Sequence, residues 1–344
     1  MGEANRETAG AQVTDTSPSK ETKLSTLLDE GKGVVLDGAL ATHLETLGAD
    51  ISTALWSASL LSTNPSLIHK THLTYFQHGA HIAITASYQA SFPGLTTHLH
   101  ISDEEATAIV QKSVTLAQQA RSDFLASPQQ QQKNEDANAN LPLLIAGSVG
   151  PYGAFLADGS EYTGSYALTP SALQSFHRGR IAALVAAGVD VLAVETIPSF
   201  AETQALVSLL SAEFPATEAW FSFTLASPTH IADGTPIADV VRLLDACSNV
   251  VALGANCLPS DLALAGLKEM RRATAKPLIV YPNSGEEWNA QRRDWEGARA
   301  GGGVEAEDEG VLGRRREGGW GCCRTGPEDI RAIAETLEEL QGGK

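Results

Sequence analysis

Short runs of apolar, β-branched residues recur along the chain, each separated from the next by a stretch of helical periodicity long enough to cross over a sheet. They are GVVLDG (33–38), AHIAITAS (80–87), LLIAGSVG (143–150), VDVLAVET (189–196), AWFSFTL (219–225), VVALGANC (250–257) and PLIVYPNSGE (277–286). Strands this apolar, alternating with helices, bury both faces. The sheet is then parallel, and the fold is either a doubly wound sheet or a (β/α)8 barrel. The intervening helices fit this scheme. TPSALQSFHRGRIAALVAAG (169–188) offers Thr169 as N-cap, Pro170 in the first turn and Gly188 as the stop before the next strand.

The strand ends decide between the two architectures. Six runs finish in polar residues suited to chemistry: Asp37, Ser87, Ser148, Glu195, Asn256 with Cys257, and Asn283 with Glu286. A barrel brings the C-terminal ends of all its strands to one face, where the active sites of that fold lie. A doubly wound sheet uses only the ends beside its switch point. No GxGxxG follows the first run. The expected fold is therefore an α/β (β/α)8 TIM-type barrel over residues 23–344, with an eighth strand at or just before Cys322. Residues 1–22 and 127–140 are polar and aperiodic, and read as a disordered tail and a low-complexity insertion.

A formal charge of −17 leaves no basic stripe to neutralise phosphates, since Arg314–Arg316 is short and flanked by acids. Nucleic acid is excluded as a partner on that ground. No apolar run approaches the roughly 20 residues of a membrane span, and the N-terminus lacks the pattern of a signal peptide. A cytoplasmic location, small-molecule partners and no membrane partner are expected; the oligomeric state is not specified by these features.

Four cysteines, Cys247, Cys257, Cys322 and Cys323, are too few for a disulfide framework in a chain of 344 residues. Cys257 ends the sixth run and the vicinal pair sits where an eighth strand should end, so a barrel brings three thiols to one rim. Three protein ligands with an open fourth position are the pattern of a catalytic zinc site. A packing cysteine at 257 and an oxidisable pair at 322–323 are the alternatives, and spacing alone leaves them open. Cys247 reads as core. His69, His72, His78 and His81 precede the second run, which places them away from the catalytic face. GSVGPYG (147–153) lacks the Lys-Ser/Thr of a P-loop and reads as the loop after the third strand.

In chain order, LDGALATHLETLGAD, TASYQAS, IAGSVGPYG, VETIPSFAE, GANC, YPNSGE with Trp288 close behind, and GCCRTGPEDI resemble the homocysteine S-methyltransferases, a family of zinc (β/α)8 barrels. The match runs from about Gly31 to Glu338, and YTGSY and VETIPS look like the branch that uses S-methylmethionine or S-adenosylmethionine. The resemblance implies transfer of a methyl group from a sulfonium donor to the thiolate of L-homocysteine, giving methionine. It implies Zn2+ bound by Cys257, Cys322 and Cys323, with the homocysteine sulfur in the fourth position. By the same resemblance Asp37 and Gly38 contact the amino-acid part of homocysteine and Glu195 binds its ammonium. Thr85 and Ser87 are candidates for its carboxylate, and Asn256 for orienting the turn that carries Cys257. Read without the family, Asp37-Gly38 is an ordinary turn and Glu195 an acid at a helix start. Tyr152, Tyr162 and Trp288 are candidates for cation–π contact with a sulfonium, or for packing. No residue distinguishes the two donors.

The chain departs from the family in EGARAGGGVEAEDEGVLGRRREGGWGCC, Glu296 to Cys323, where a helix and an apolar strand are usual. Residues 296–320 hold no buried-strand run, which removes the support for barrel closure and for two of the three zinc ligands. Two readings follow: an error in the gene model, or genuine divergence with weakened zinc binding. The functional alternatives are a catalytically impaired barrel acting as a binding or regulatory protein, and a thiol-redox protein using the vicinal pair.

Overall fold

The computed structural model describes residues 23–31, 33–52, 55–128, 130, 141–283, 287–289, 294–296, 317–318 and 325–342. The tail 1–22 and most of the segments 127–140 and 296–320 lie outside the described residues.

The strands are β1 (Ile82–Ile84), β2 (Leu144–Val149), β3 (Val191–Ile197), β4 (Ala219–Phe223), β5 (Leu225–Ser227), β6 (His230–Ile231), β7 (Val250–Asn256), β8 (Leu278–Tyr281), β9 (Glu287–Asn289), β10 (Asp294–Glu296) and β11 (Glu317–Gly318). One sheet runs β1-β2-β3-β4-β7-β8-β11, with every pairing parallel. The pairs β5–β6 and β9–β10 are antiparallel.

The first apolar run forms less strand than its sequence suggests. It contributes one parallel bridge, Leu36 to Ile82. Side chains take over part of its ladder: the Val35 N–H donates to His81 Nδ1 at 3.0 Å, and the Ile84 N–H donates to Asp37 Oδ2 at 2.9 Å. Such local competition shortens a strand without moving it from its place beside β1. At the other edge, β11 pairs Glu317 with Leu278 and Gly318 with Ile279, so two of the described residues stand at the eighth position. Between β11 and Leu36 no strand pairing closes the sheet among the described residues. The seam is held instead by the Thr325 carbonyl, which accepts from the Ala39 N–H at 3.0 Å and the Tyr75 hydroxyl at 3.3 Å. The result is a curled, TIM-type parallel sheet that is open along one seam.

Side chains alternate between two apolar layers, as the two-residue period of a strand requires. Leu36, Ile82, Leu144, Ala146, Val191, Ala193, Trp220, Ala252, Ile279 and Tyr281 fill the concave side. Ile145, Leu192, Val194, Phe221 and Leu253 pack outward against the helices. The helix Leu24–Asp29 plugs the N-terminal end of the sheet with Leu24, Leu27 and Leu28, and Ser25 anchors it through 3.1 Å and 2.6 Å bonds to Glu218. Trp220 Nε1 donates to the Tyr281 hydroxyl at 3.1 Å, so the two polar tips of these interior rings pair with each other. The helix Pro170–Ala186 begins as its sequence predicts, with Thr169 Oγ1 accepting from Ala172 N–H at 3.2 Å.

Strands β7 and β8 approach so closely at Gly254 that a Cβ there would overlap the Ile279 carbonyl oxygen. Gly254→Ala is expected to lower stability by about 3 kcal/mol or more, because backbone rather than a flexible side chain would have to move. Urea unfolding of the variant beside the parent chain measures this.

Candidate functional site

The polar strand ends do not stand apart; hydrogen bonds join them along the C-terminal edge of the sheet. Asp37, 2% exposed, reaches β1 through the Ile84 N–H. Just past β1, Thr85 Oγ1 and Ser87 Oγ lie 2.8 Å apart. Thr85 Oγ1 accepts from the Ser148 N–H at 3.0 Å, and Ser87 Oγ donates to the Ser148 carbonyl at 2.8 Å, tying both to β2. The Ser148 hydroxyl donates to Glu195 Oε1 on β3 in a very short bond. Glu195 is buried, at 7% exposure. One chain of polar contacts therefore links Thr85, Ser87, Ser148 and Glu195, and Asp37 is tied to the same edge through the Ile84 backbone.

The next residue carries the chain on to the thiol. Thr196 and Cys257 both have left-handed backbone, with φ of 60° and 55°, a conformation unusual for a β-branched residue. Asn256 holds both in place. Its Oδ1 accepts from the Thr196 N–H at 2.9 Å, and its Nδ2 donates to Thr196 Oγ1 at 2.7 Å and to Cys257 Sγ at 3.3 Å. Thr196 Oγ1 also donates to Cys257 Sγ at 3.7 Å, and the Cys257 N–H donates to the Tyr281 carbonyl at 3.2 Å. Two donors aimed at one sulfur use it as an electron-pair donor, the role a metal ligand plays. The donor set therefore fits a metal ligand at Cys257. Among the described residues no group of three or more His, Cys, Asp or Glu side chains is placed to hold a metal. Cys322 and Cys323, like Glu286, lie outside the described residues.

Burial governs the electrostatics. It pushes the Asp37 carboxyl well above the usual carboxylate range, against the opposing Ile84 hydrogen bond, and the charge of Glu195 adds to the rise. Gly38 follows in a crowded place, facing the Tyr75 ring and the Thr325 carbonyl. Of the four histidines expected away from this face, His72 departs from the expectation. It is fully buried, with Nδ1 3.9 Å from Asp37 Oδ2, and burial pulls its imidazole down to about 3. His69 pairs instead with Asp123 at 2.9 Å and His78 with the Thr74 carbonyl at 2.7 Å.

Behind the rim lies a buried network that the strand-end pattern did not reveal. Arg180, 1% exposed, donates to the carbonyls of Tyr88 at 2.8 Å and Gly150 at 2.5 Å, and to His177 Nδ1 at 3.0 Å. That leaves the His177 proton on Nε2, which donates to Glu202 Oε1 at 2.7 Å. Glu202 also accepts from the Tyr152 N–H at 2.7 Å and from the Tyr166 hydroxyl. Arg180 thus fastens the loops after β1 and β2 to each other. Tyr88, in the first of these loops, is partly exposed as a residue, and desolvation of its phenol raises the hydroxyl well above its ordinary value, with the charges of Cys257, Glu161 and Glu195 adding to the rise. Tyr152, a sulfonium candidate from sequence, packs its ring against Tyr166 and Phe176 at 5.4 and 5.0 Å, which accounts for it as packing. Tyr162 is half-buried, and the Trp288 side chain lies outside the described residues. Tyr88 and Thr196 sit inside the motifs TASYQAS and VETIPSFAE, and that was the available signal for them.

Comparison with known proteins agrees with this geometry. The family model for homocysteine S-methyltransferase matches residues 34–337. The chain is 44% identical over 321 residues to the homocysteine S-methyltransferase YbgG of Bacillus subtilis, covering 92% of this chain and 98% of the relative. It is 45% identical over 321 residues to the homocysteine S-methyltransferase of Escherichia coli, with the same coverage. The crystal structure of the homocysteine methyltransferase MmuM from Escherichia coli in its metallated form superposes with a TM-score of 0.77 at 43% identity, covering 90% of this chain and 98% of that one.

Removing Arg180 strands three buried acceptors at once. Arg180→Met is expected to lose about 3–5 kcal/mol of stability. Arg178→Met, which breaks only the 41%-exposed pair with Glu213, is expected to lose less than about 1 kcal/mol. Urea unfolding of the two variants side by side checks the contrast.

Proposed function

The chain belongs to the homocysteine S-methyltransferase family, and from that premise we propose that it moves a methyl group from S-methylmethionine or S-adenosylmethionine to L-homocysteine, with Zn2+ held by Cys257, Cys322 and Cys323. The observation that carries this reading is the setting of Cys257: a rim thiol at the end of β7 that receives hydrogen bonds from Asn256 and Thr196. The metallated form of the Escherichia coli relative supports the metal assignment. Bound by three thiolates, the metal would supply the substrate sulfur as a thiolate at neutral pH, where a free thiol of pKa ~8.5 is mostly protonated.

The chain's own residues do the rest in this reading. Asp37 and Glu195 receive the homocysteine ammonium, and Thr85 and Ser87 its carboxylate, with Gly38 allowing close approach at the first strand end. An arriving ammonium restores to Asp37 the ionised form that burial disfavours. The thiolate forms a new C–S bond to the donor methyl, and the old bond breaks with its electron pair staying on the donor sulfur. Two opposite charges disappear in that step. A dry rim therefore favours it, and Arg180 helps by fixing the loops that cover the edge. A second reading, an impaired barrel that binds without transferring, draws on the two-residue β11 beside β8.

Three outcomes separate these readings. Cys257→Ala is expected to abolish both zinc retention and methyl transfer, measured by metal analysis and by methionine formation with each donor; full activity in the variant contradicts the proposal. Homocysteine binding by the parent chain, with no transfer from either sulfonium, favours the impaired barrel instead. Asp37→Asn is expected to raise the KM for homocysteine about tenfold to a hundredfold while raising Tm at neutral pH. The sign follows from the raised carboxyl. The folded chain holds its proton above the unfolded value of about 3.9, so Asp37 withdraws stability as pH rises through that window, and Asn removes the penalty.

A further inference from the structure

Glu161 sits on the short turn Ser160–Tyr162 that follows β2, and no step of the methyl transfer uses its carboxylate. The residue is only 7% exposed. Its Oε2 is buried with no hydrogen-bond donor among the described residues. A buried acceptor left in this state is uncommon in a folded protein and asks for an explanation.

Its position supplies one. The chain crosses so close beneath it that a Cβ on Gly153 would overlap the Glu161 amide nitrogen, which fixes the turn against the loop after β2. The same turn packs on β3, the strand that carries Glu195 and Thr196. That packing sets the carboxylate beside the strand whose end forms the rim, and its charge, like those of Cys257 and Glu195, raises the Tyr88 phenol. Burial raises the Glu161 carboxyl above its ordinary value, and a cation placed against it would reverse that rise.

The chemistry of a fitting ligand is then narrow. A lone buried carboxylate oxygen calls for a positively charged N–H donor. A sulfonium centre has no N–H to give, but S-methylmethionine and S-adenosylmethionine each carry an α-ammonium as well. With the homocysteine ammonium assigned to Asp37 and Glu195, the donor's ammonium remains. We propose that Glu161 binds the α-ammonium of the methyl donor and so selects sulfonium amino acids over simple alkyl sulfoniums. This rests on the methyl-transfer reading, and it adds a specificity-determining residue on the donor side.

The test is steady-state kinetics of the zinc-loaded full chain and of Glu161→Gln, using S-methylmethionine and its deamino analogue, (3-carboxypropyl)dimethylsulfonium. The parent is expected to prefer S-methylmethionine, and the variant to raise its KM for that donor about tenfold to a hundredfold. The KM for homocysteine is expected to stay within about twofold, and the preference over the deamino analogue to vanish in the variant. A rise in the homocysteine KM instead, an equal loss with both sulfoniums, or an unchanged donor KM overturns the proposal. So does a parent chain that uses the two sulfoniums equally well, a result that needs no variant. If the parent transfers no methyl group from any sulfonium, the methyl-transfer reading fails by itself. Calorimetric titration of the same two sulfoniums into parent and variant then decides Glu161, with equal affinities counting against it.

Discussion

A parallel sheet packed with apolar side chains on both faces leaves polar groups one place to gather, the C-terminal edge. There they must satisfy each other, because burial without a partner costs about 1–3 kcal/mol per group. The chain meets this with short-range stitches between neighbouring strands: Ser148 between the loop after β1 and Glu195, and Asn256 between β3 and β7. Every later property of the rim depends on those stitches. They hold the buried Glu195 carboxylate on the edge that carries the Cys257 thiol, to which the Ile84 N–H ties Asp37, and Asn256 sets the direction in which that thiol points.

Strain and support are paired at Asn256. The left-handed backbone of Thr196 and Cys257 is unfavourable by roughly 1–2 kcal/mol per residue. Both bends are held by one amide side chain that bonds the Thr196 backbone, the Thr196 hydroxyl and the Cys257 sulfur. Farther out, Arg180 does for the loops what Asn256 does for the strands. Its two carbonyl acceptors are separated by 92 and 30 residues from it in sequence, and through them the helix Pro170–Ala186 grips the Tyr88 and Gly150 loops.

The sheet and much of the rim were legible because both follow from local pattern. Apolar runs marked β1, β2, β3, β4, β7 and β8, and polar residues at their ends marked Asp37, Thr85, Ser87, Glu195, Asn256 and Cys257. The pattern failed where side chains compete with backbone, as at residues 33–38, where His81 and Asp37 take ladder donors. It also failed where partners are remote. Arg180 and His177 look like the polar face of an amphipathic helix, and only the fold turns them inward. Sequence order puts His72 with its neighbours on the helix side, yet the packing of Pro65–Gln77 brings it to within 3.9 Å of Asp37. The glycine-rich stretch carries no strand signal, yet Glu317 and Gly318 of β11 pair with β8.

The proposal on which the function turns is that Cys257 joins Cys322 and Cys323 around one zinc ion with a position open to the substrate thiol. X-ray absorption at the zinc edge of the purified chain addresses it most directly. The account predicts three sulfur ligands at about 2.3 Å, becoming four when homocysteine is added. A shell dominated by nitrogen or oxygen, or a sulfur count that homocysteine leaves unchanged, would contradict it.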